Sequence, residues 1–190
     1  MKVNVGLSNR HIHVSQEHLD LLFGKDYKLT EMKPLSQPGQ YAAEELVDIV
    51  GPKGTLRKVR ILGPVRGKTQ LEVSAGDARS LGVSAPVRDS GDLAGSPGCK
   101  IVGPNGEVDI SEGVIIAARH IHMTPADAER FDVKDKDLVS VETEGQRGLV
   151  FKNVLIRVSP SYFLEMHLDI EEGNAAGLKN GDSVEVINVK

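Results

Sequence analysis

An internal repeat constrains this chain more than any other feature of its sequence. The tetrapeptide Arg-His-Ile-His at residues 10–13 recurs at residues 119–122, 109 positions later. Each copy is followed by a short polar segment that is compatible with a helix, with Ser15 or Thr124 as its N-cap. A duplicated segment of this kind predicts two halves with related architecture.

A second, fainter alignment follows in each half. Leu-Glu-Val around Glu72 matches Met-His-Leu around His167, and these two positions are 95 residues apart. The two offsets differ by 14 residues, which predicts an insertion in the first copy, most simply at residues 33–43. Glu72 and His167 therefore occupy equivalent positions of the repeat.

Between these motifs, short segments rich in Val, Ile and Leu are bounded by turn dipeptides, a pattern typical of β-strands. The predicted strands are residues 45–50, 58–62, 70–74, 138–142, 149–158, 162–168 and 183–189. Many short strands with few helices favour a mainly β fold with short capping helices, built as two β-barrel domains. The predicted division is a first half at residues 1–83, a turn-rich connector at 84–113 that packs across both halves, and a second half at 114–190.

Composition argues against several functional classes. The chain has 27 acidic and 23 basic residues among 190, and its net charge of −4 supplies no general basic field for nucleic acid. It has no Trp, three Tyr and four Phe, which leaves few rings for base stacking. No stretch approaches the ~20 apolar residues of a membrane span, and the first motif begins too early to leave room for a signal peptide. Because Cys99 is the only cysteine, the chain has no internal disulfide and fits a reducing compartment. We expect a cytoplasmic protein that binds neither nucleic acid nor membrane.

The two His-x-His pairs are the most informative chemical feature. In an extended segment, side chains at i and i+2 project from the same face about 6–7 Å apart, so that both imidazoles can bind one cation. A zinc-like ion then needs one or two further ligands, and the equivalent later positions of the repeat supply them. The alternative is a structural strand whose histidines bond to backbone groups. The repeat predicts two three-ligand sites, one formed by His11, His13 and Glu72 and the other by His120, His122 and His167.

Several basic residues are candidates for binding an anion. Arg66 lies in a turn that leads to Glu72, and its planar guanidinium matches phosphate oxygens in pairs, although a solvated loop arginine has the same pattern. Arg10 and Arg119 are either anion ligands or surface charges beside the strands. A further basic cluster suits a ligand with several phosphates or a solvated strand face, and consists of Lys53, Arg57, Lys58 and Arg60.

Other catalytic signatures are absent from the sequence. It contains no Gly-x-Gly-x-x-Gly, P-loop or Gly-x-Ser-x-Gly motif. Cys99 has no matched histidine nearby in sequence, so it is a weak candidate for a nucleophile.

Taken in order and spacing, the motifs at residues 8–15, 63–74, 118–123 and 165–169 resemble those of the PduL-type phosphotransacylases, the phosphate propanoyltransferases. The resemblance covers essentially the whole chain. It implies two β-barrel domains capped by short helices, with an active site between them that contains two zinc ions. It also implies an acyltransferase that interconverts acyl-CoA plus phosphate with acyl phosphate plus CoA, the acyl group being propanoyl or acetyl.

The same resemblance assigns roles to individual residues. The six predicted ligands would hold the two metals, and Arg66 would bind phosphate. Contacts with CoA fall at Ser8, Asn9, Arg10, Lys53, Arg60 and Asn174. Family members of microcompartments carry an extra N-terminal targeting helix, whereas ten residues precede His11 here, so we expect no encapsulation through such a peptide. A homo-oligomer is compatible with all of these features.

Two other functions remain open at this point. A dinuclear metal hydrolase of phosphoesters or thioesters would use the same ligands to activate water. A non-catalytic metal-binding module would instead have closed coordination. Within a transacylase, phosphate would attack the thioester directly, or the acyl group would first be transferred to the protein.

Overall fold

A computed structural model describes residues 1–187 of the chain. Its helices are α1 (Gln16–Phe23), α2 (Ala75–Leu81), α3 (Pro125–Phe131) and α4 (Ile170–Ala176). Its strands are β1 (Lys2–Ser8), β2 (His11–His13), β3 (Glu31–Pro34), β4 (Tyr41–Val50), β5 (Thr55–Gly63), β6 (Gln70–Glu72), β7 (Val87–Arg88), β8 (Cys99–Val102), β9 (Glu107–Ile110), β10 (Val114–Ala117), β11 (His120–Met123), β12 (Leu138–Glu142), β13 (Val150–Val158), β14 (Glu165–Asp169) and β15 (Ser183–Ile187). The predicted mainly β fold of two barrel-like parts with short helices is confirmed. Residues 188 and 189 of the last predicted strand lie outside the described residues.

One of the two compact units is a closed β-barrel. It comprises Met1–Ser8, Ser36–Pro38 and the chain from Ala118 onwards, and is called the barrel unit below. Its six strands close in the order β1-β14-β11-β13-β12-β15. Because alternate side chains of a strand point to one face, Ile121 and Met123 of β11 are fully buried in its core.

The other unit is a nine-stranded sheet, called the sheet unit below. It comprises Asn9–Leu35 and Gly39–Ala117. Its strands follow the order β7-β10-β6-β2-β5-β4-β8-β9, with β3 paired to β4. The core of this unit includes Leu19, Leu22 and Leu81 from its two helices, all fully buried.

The limits of these units differ from the predicted division at residues 83 and 113. β1 pairs in parallel with β14 and antiparallel with β15, so the first eight residues belong to the barrel unit. β7 pairs with β10 and β8 pairs with β4, so residues 84–113 lie within the sheet unit. Strand pairing over such sequence distances overrides the order of the chain, and the division drawn from the repeat stays a prediction.

Each strand that carries a predicted metal ligand is followed by an N-capped helix. The caps Ser15, Ser74 and Thr124 follow β2, β6 and β11, and the cap Asp169 is the last residue of β14. Each cap side chain accepts the backbone N–H three residues later. The predicted caps Ser15 and Thr124 are confirmed. Since an N-cap satisfies a helical N–H that would otherwise lack a partner, these caps end the ligand strands at defined residues.

Candidate metal centres and active site

The first predicted cluster forms within the sheet unit. β2 and β6 are antiparallel neighbours, with His11 opposite Glu72 and His13 opposite Gln70. Both histidines are buried. Ligand atoms of His11, His13 and Glu72 all lie within 4.8 Å of one another.

Backbone carbonyls orient the two imidazoles of this cluster. The Nδ1 of His11 is 2.8 Å from the carbonyl oxygen of Asn9, and the Nδ1 of His13 is 3.2 Å from that of Leu62. A carbonyl oxygen only accepts, so in both rings Nδ1 carries the proton and donates it. Each Nε2 is then left as the ligand atom, an arrangement common among metal-binding histidines.

Two of the three side chains in this cluster, His13 and Glu72, are in the protonation state that a divalent cation requires. Burial, together with the nearby charges of His11 and Arg66, lowers the pKa of His13 to about 3. Burial would raise the pKa of Glu72, but the adjacent His11 holds it well below its ordinary range. Burial alone would lower the pKa of His11, but the adjacent Glu72 raises it above its ordinary value. At neutral pH, His13 is therefore neutral and Glu72 ionised, as metal binding demands.

The second predicted cluster forms within the barrel unit by the same strand geometry. β11 and β14 are antiparallel, with His120 opposite His167 and His122 opposite Glu165. Ligand atoms of the three histidines lie within 4.8 Å of one another. The Nδ1 of His120 donates to the carbonyl oxygen of Ala118 at 2.7 Å, as His11 does to Asn9 in the other unit.

A carboxylate accompanies this all-histidine cluster. The Oε2 of Glu165 is 3.0 Å from the Nε2 of His167, and the hydroxyl of Ser36 donates to the same oxygen. Burial would raise the pKa of Glu165, but these two contacts lower it. Gly6 leaves room for the carboxyl group, because a Cβ at that position would lie 2.9 Å from the Cδ of Glu165.

Both clusters fit a zinc-type ion by the chemistry of their donors. Zinc in proteins is bound by imidazole nitrogens and carboxylate oxygens at about 2.0–2.2 Å. In each cluster the donor atoms lie within 4.8 Å of one another, close enough that they could hold one ion. Three protein ligands with a further open position are typical of catalytic rather than structural zinc sites.

Arg66 lies in the loop between β5 and β6, at the edge of the first cluster. Its backbone N–H donates to the carbonyl oxygen of Val14 at 2.9 Å, which attaches the loop to the end of β2. Its Nη1 donates to Ser90 Oγ at 3.2 Å. At the start of the loop, Gly63 is required by the ring of Tyr41, since a Cβ there would lie 2.2 Å from the Cζ of that ring.

Arg10 and Arg119 form equivalent ion pairs in the two units. Arg10 pairs with Asp77 of α2, and Arg119 pairs with Glu172 of α4 at 2.8 Å. Asp77 and Glu172 are themselves 95 residues apart, the offset of the second alignment. In both units the arginine before the first histidine thus contacts the helix that follows the strand of the third ligand.

Comparison with known proteins identifies the family. The chain matches the phosphate propanoyltransferase family over residues 4–179. A phosphate propanoyltransferase of Thermotoga maritima is 59% identical over 184 residues, which span 96% of this chain and 88% of the relative. Those of Salmonella typhimurium and Listeria monocytogenes are 53% and 49% identical, over 94% and 97% of this chain and 85% and 87% of theirs. The chain belongs to the phosphate propanoyltransferase family.

Family membership confirms the resemblance drawn from the motifs and makes the chain an acyltransferase. Among residues 1–187, no helix has the length and apolar character to cross a membrane.

The residues that the family resemblance assigns to CoA binding lie in different surroundings. Lys53 and Arg79 line a cavity of about 400 Å³ in the sheet unit, whose apolar wall includes Ile116. The Nη1 of Arg60 donates to the carbonyl oxygens of Ala43 and Glu44 at 2.7 and 3.2 Å, and so contacts the backbone of β4.

The remaining CoA candidates lie at the ends of elements. Ser8 ends β1, and Asn9 and Arg10 are exposed in the two-residue link to β2. The Oδ1 of Asn9 accepts the N–H of Arg10 at 2.8 Å, while its carbonyl orients His11. Asn174 is exposed on α4. The predicted metal ligands thus form two tight groups, whereas Arg10, Lys53 and Arg60 contact three different sets of neighbours.

Several polar residues beside the clusters were not predicted, among them Gln70, Glu165, Ser90 and Gln37. Gln70 contacts Glu72 and Glu165 contacts His167, each two residues before the third ligand on the same strand face. Gln70 and Glu165 are 95 residues apart, which is the offset of the second alignment, so the repeat could have revealed both. Ser90 and Gln37 had no such signal, because they come from the predicted connector and from the predicted insertion.

Gln37 is a buried residue that the insertion brings to the second cluster. Its Nε2 donates to the carbonyl oxygen of Phe163 at 3.1 Å, and its Oε1 accepts the N–H of Phe163 at 3.2 Å. The same Nε2 lies 3.5 Å from the Nε2 of His167. The insertion therefore supplies a side chain that fixes the segment preceding β14.

Cys99 is buried in β8, and burial raises the pKa of its thiol from 9.0 to about 12. We expect this thiol to react with a chromogenic disulfide reagent at least about a thousandfold more slowly in the folded than in the unfolded protein, because the reactive thiolate is suppressed and shielded. Labelling at pH 8 with and without denaturant measures this difference. Cys99→Ser should keep acyltransferase activity within about twofold. Loss of activity in a folded Cys99→Ser protein would instead indicate an acyl acceptor at this position.

Proposed function

We propose that this protein is a zinc-dependent phosphotransacylase that interconverts short-chain acyl-CoA plus phosphate with acyl phosphate plus CoA. Propanoyl and acetyl are the proposed acyl groups, the former in line with the names of the relatives. The observation that carries the proposal is the pair of three-donor clusters. The first of these has Arg66 at its edge, an arginine suited to binding phosphate.

His11, His13 and Glu72 would hold one zinc ion, and His120, His122 and His167 the other. Zinc bound at such a site supplies Lewis acidity, which polarises a carbonyl or phosphoryl oxygen and stabilises developing negative charge. Backbone carbonyls set the ring orientations of His11, His13 and His120. The surroundings of the first cluster also keep His13 neutral and Glu72 ionised at neutral pH.

Arg66 would bind and orient the phosphate. In the transfer, an oxygen of hydrogen phosphate forms a bond to the acyl carbon and the carbon–sulfur bond breaks. The proton of the hydrogen phosphate then passes to the departing CoA thiolate. This balance needs neither water nor a protein nucleophile, in keeping with the buried and protonated Cys99. Orientation of two reactants in this way supplies much of the rate enhancement of enzymes.

The cavity lined by Lys53 and Arg79 supports a role for Lys53 in binding CoA. Two cations beside an apolar wall suit a ligand that combines phosphate groups with an aromatic base. Ser8, Asn9, Arg10 and Asn174 remain candidates from the family resemblance. Arg60 is a weaker candidate, because its Nη1 already serves two backbone carbonyls.

Release of CoA from propanoyl-CoA and acetyl-CoA, with and without phosphate, tests this function. We expect release to require phosphate, to stop after chelation, and to return when zinc is added back to the chelated protein. Release without phosphate would indicate a hydrolase. A protein that binds zinc but releases no CoA under any of these conditions would be a non-catalytic metal-binding module.

A further inference from the structure

A partly buried hydrogen-bond network adjoins the first cluster. Gln70 is 2% exposed and lies two residues before Glu72, on the same face of β6. Its Nε2 donates to Glu72 Oε1 at 2.6 Å and to Ser90 Oγ at 2.8 Å. Its Oε1 accepts the backbone N–H of Gly91 at 2.7 Å. Both ends of the Gln70 amide are therefore held.

Ser90 connects this network to Arg66. Its hydroxyl donates to Glu72 Oε1 at 3.1 Å, and its oxygen accepts from Gln70 Nε2 and from Arg66 Nη1. A hydroxyl offers one donor and two acceptor sites, so these three bonds use its whole capacity. A hydroxyl whose donor and acceptor sites are all used holds its three partners in a defined arrangement.

The network distinguishes the two oxygens of the Glu72 carboxylate. Oε1 receives donors from Gln70 and Ser90. Oε2 lies 3.4 Å from the Nε2 of His11, the ring atom left for a metal. Only one oxygen of Glu72 is thus directed to the position of the cation.

We propose that Gln70 and Ser90 are positioning residues that hold Glu72 for metal binding through Oε2 alone and tie Arg66 to the same carboxylate. This inference rests on the proposed function, because it takes Glu72 as a zinc ligand and Arg66 as the phosphate-binding residue. In this arrangement, the hydroxyl of Ser90, from the segment between α2 and β8, holds Glu72 and Arg66 in fixed positions relative to each other.

The barrel unit contains a similar arrangement, in which the carboxylate comes from the residue two positions before the third ligand and the third ligand is a histidine. Glu165 occupies the position of Gln70, and its partner is the imidazole of His167. The hydroxyl of Ser36 donates to Glu165, as that of Ser90 donates to Glu72. In both units, a residue two positions before the third ligand contacts that ligand, and a serine from a distant segment contacts the carboxylate.

Ser90→Ala removes both the donor to Glu72 and the acceptor for Arg66. We expect zinc to bind about ten- to hundredfold more weakly at one of the two proposed sites of the 190-residue chain, the typical result of deleting a group behind a metal ligand. Competition with a chromogenic zinc chelator measures this affinity without reference to turnover. At saturating zinc, the KM for phosphate should also rise while the KM for acyl-CoA stays unchanged. Ser90→Thr, which keeps the hydroxyl, should restore both quantities.

Ser96→Ala is the matched control. Ser96 is a buried serine of the same segment, but its Oγ bonds to the carbonyl oxygen of Leu93 at 2.7 Å and to the N–H of Gly113 at 2.9 Å. We expect its removal to leave zinc affinity unchanged. Gln70→Met, which keeps the approximate size without the amide, provides a second variant that should weaken zinc as Ser90→Ala does, and thermal unfolding of each metal-free variant verifies its fold.

Zinc affinity and phosphate KM equal to those of the wild type in a folded Ser90→Ala or Gln70→Met protein would overturn the proposed bridge. Equal weakening by Ser96→Ala would overturn it too, since a general loss of packing would then be the cause. Weaker zinc binding in a chain whose wild type shows no phosphate-dependent CoA release would support the bridge and refute the proposed function. A wild-type chain that binds no zinc would refute both.

Discussion

His120→Ala is expected to remove one of the two proposed zinc ions and to lower kcat/KM by about a thousandfold or more, equivalent to about 4 kcal/mol of transition-state stabilisation. The physical reason is that two histidines remain at a site that needs three protein ligands to hold a catalytic zinc ion. Metal content by elemental analysis and initial rates of CoA release measure the two effects. If the site is catalytic, the loss of one proposed zinc ion and the loss of rate occur together in this variant.

His18→Ala is the matched control for this variant. His18 is a histidine of α1 that lies outside both clusters and whose Nδ1 bonds to Thr69 Oγ1 at 2.7 Å. We expect it to keep both zinc ions and nearly full activity. Full activity with both ions in His120→Ala would contradict the assignment of the second cluster, as would an equal loss in His18→Ala.

Arg66→Ala is expected to raise the KM for phosphate about ten- to hundredfold, because hydrogen bonds to a charged group contribute about 1.5–3 kcal/mol. The KM for acyl-CoA should change much less, since the guanidinium is assigned to the phosphate alone. Arg66→Lys keeps the charge but lacks the planar fork, so an intermediate value is expected. Initial rates at varied phosphate and saturating acyl-CoA, and the reverse, separate the two constants.

Arg88→Ala is the matched control for Arg66. Arg88 is a partly exposed arginine of β7 that forms an i,i+4 ion pair with Asp92 at 3.3 Å, and such pairs contribute little. We expect both KM values to stay unchanged in this variant. Equal increases in both KM values in Arg66→Ala would instead show that Arg66 supports the active site as a whole.

The two clusters have different ligands but the same number of carboxylates. In the sheet unit the carboxylate is a candidate ligand, Glu72, and its neighbour Gln70 is neutral. In the barrel unit all three candidate ligands are histidines, and the carboxylate of Glu165 lies beside one of them. Each cluster thus places one negative charge near the proposed cation. A carboxylate bound directly reduces the electrophilicity of a metal more than one beside a ligand, so we expect the two ions to differ as Lewis acids.

Much of the candidate site was accessible from sequence because its determinants are local or repeated. His-x-His pairs in an extended segment place both rings on one face whatever the surrounding fold. The match between Glu72 and His167 then indicated the third ligands, and the caps Ser15 and Thr124 indicated where two helices begin. These features depend on spacing within a few residues or on comparison of the two copies.

Tertiary structure decided which distant segments complete each cluster. β1 precedes the first histidine pair in sequence, yet it pairs with β14 and β15 in the barrel unit. Ser90 and Gln37 reach Glu72 and the neighbourhood of His167 from segments with no motif of their own.

The arginine and histidine motifs of the repeat were thus legible in the amino-acid sequence, together with the β character of the fold and the six candidate ligands. The partners of β1, the network of Gln70 and Ser90, and the limits of the two units were not. Pairing between strands far apart in the chain depends on register and on the packing of buried side chains, and alternation within a single strand carries no information about its partner.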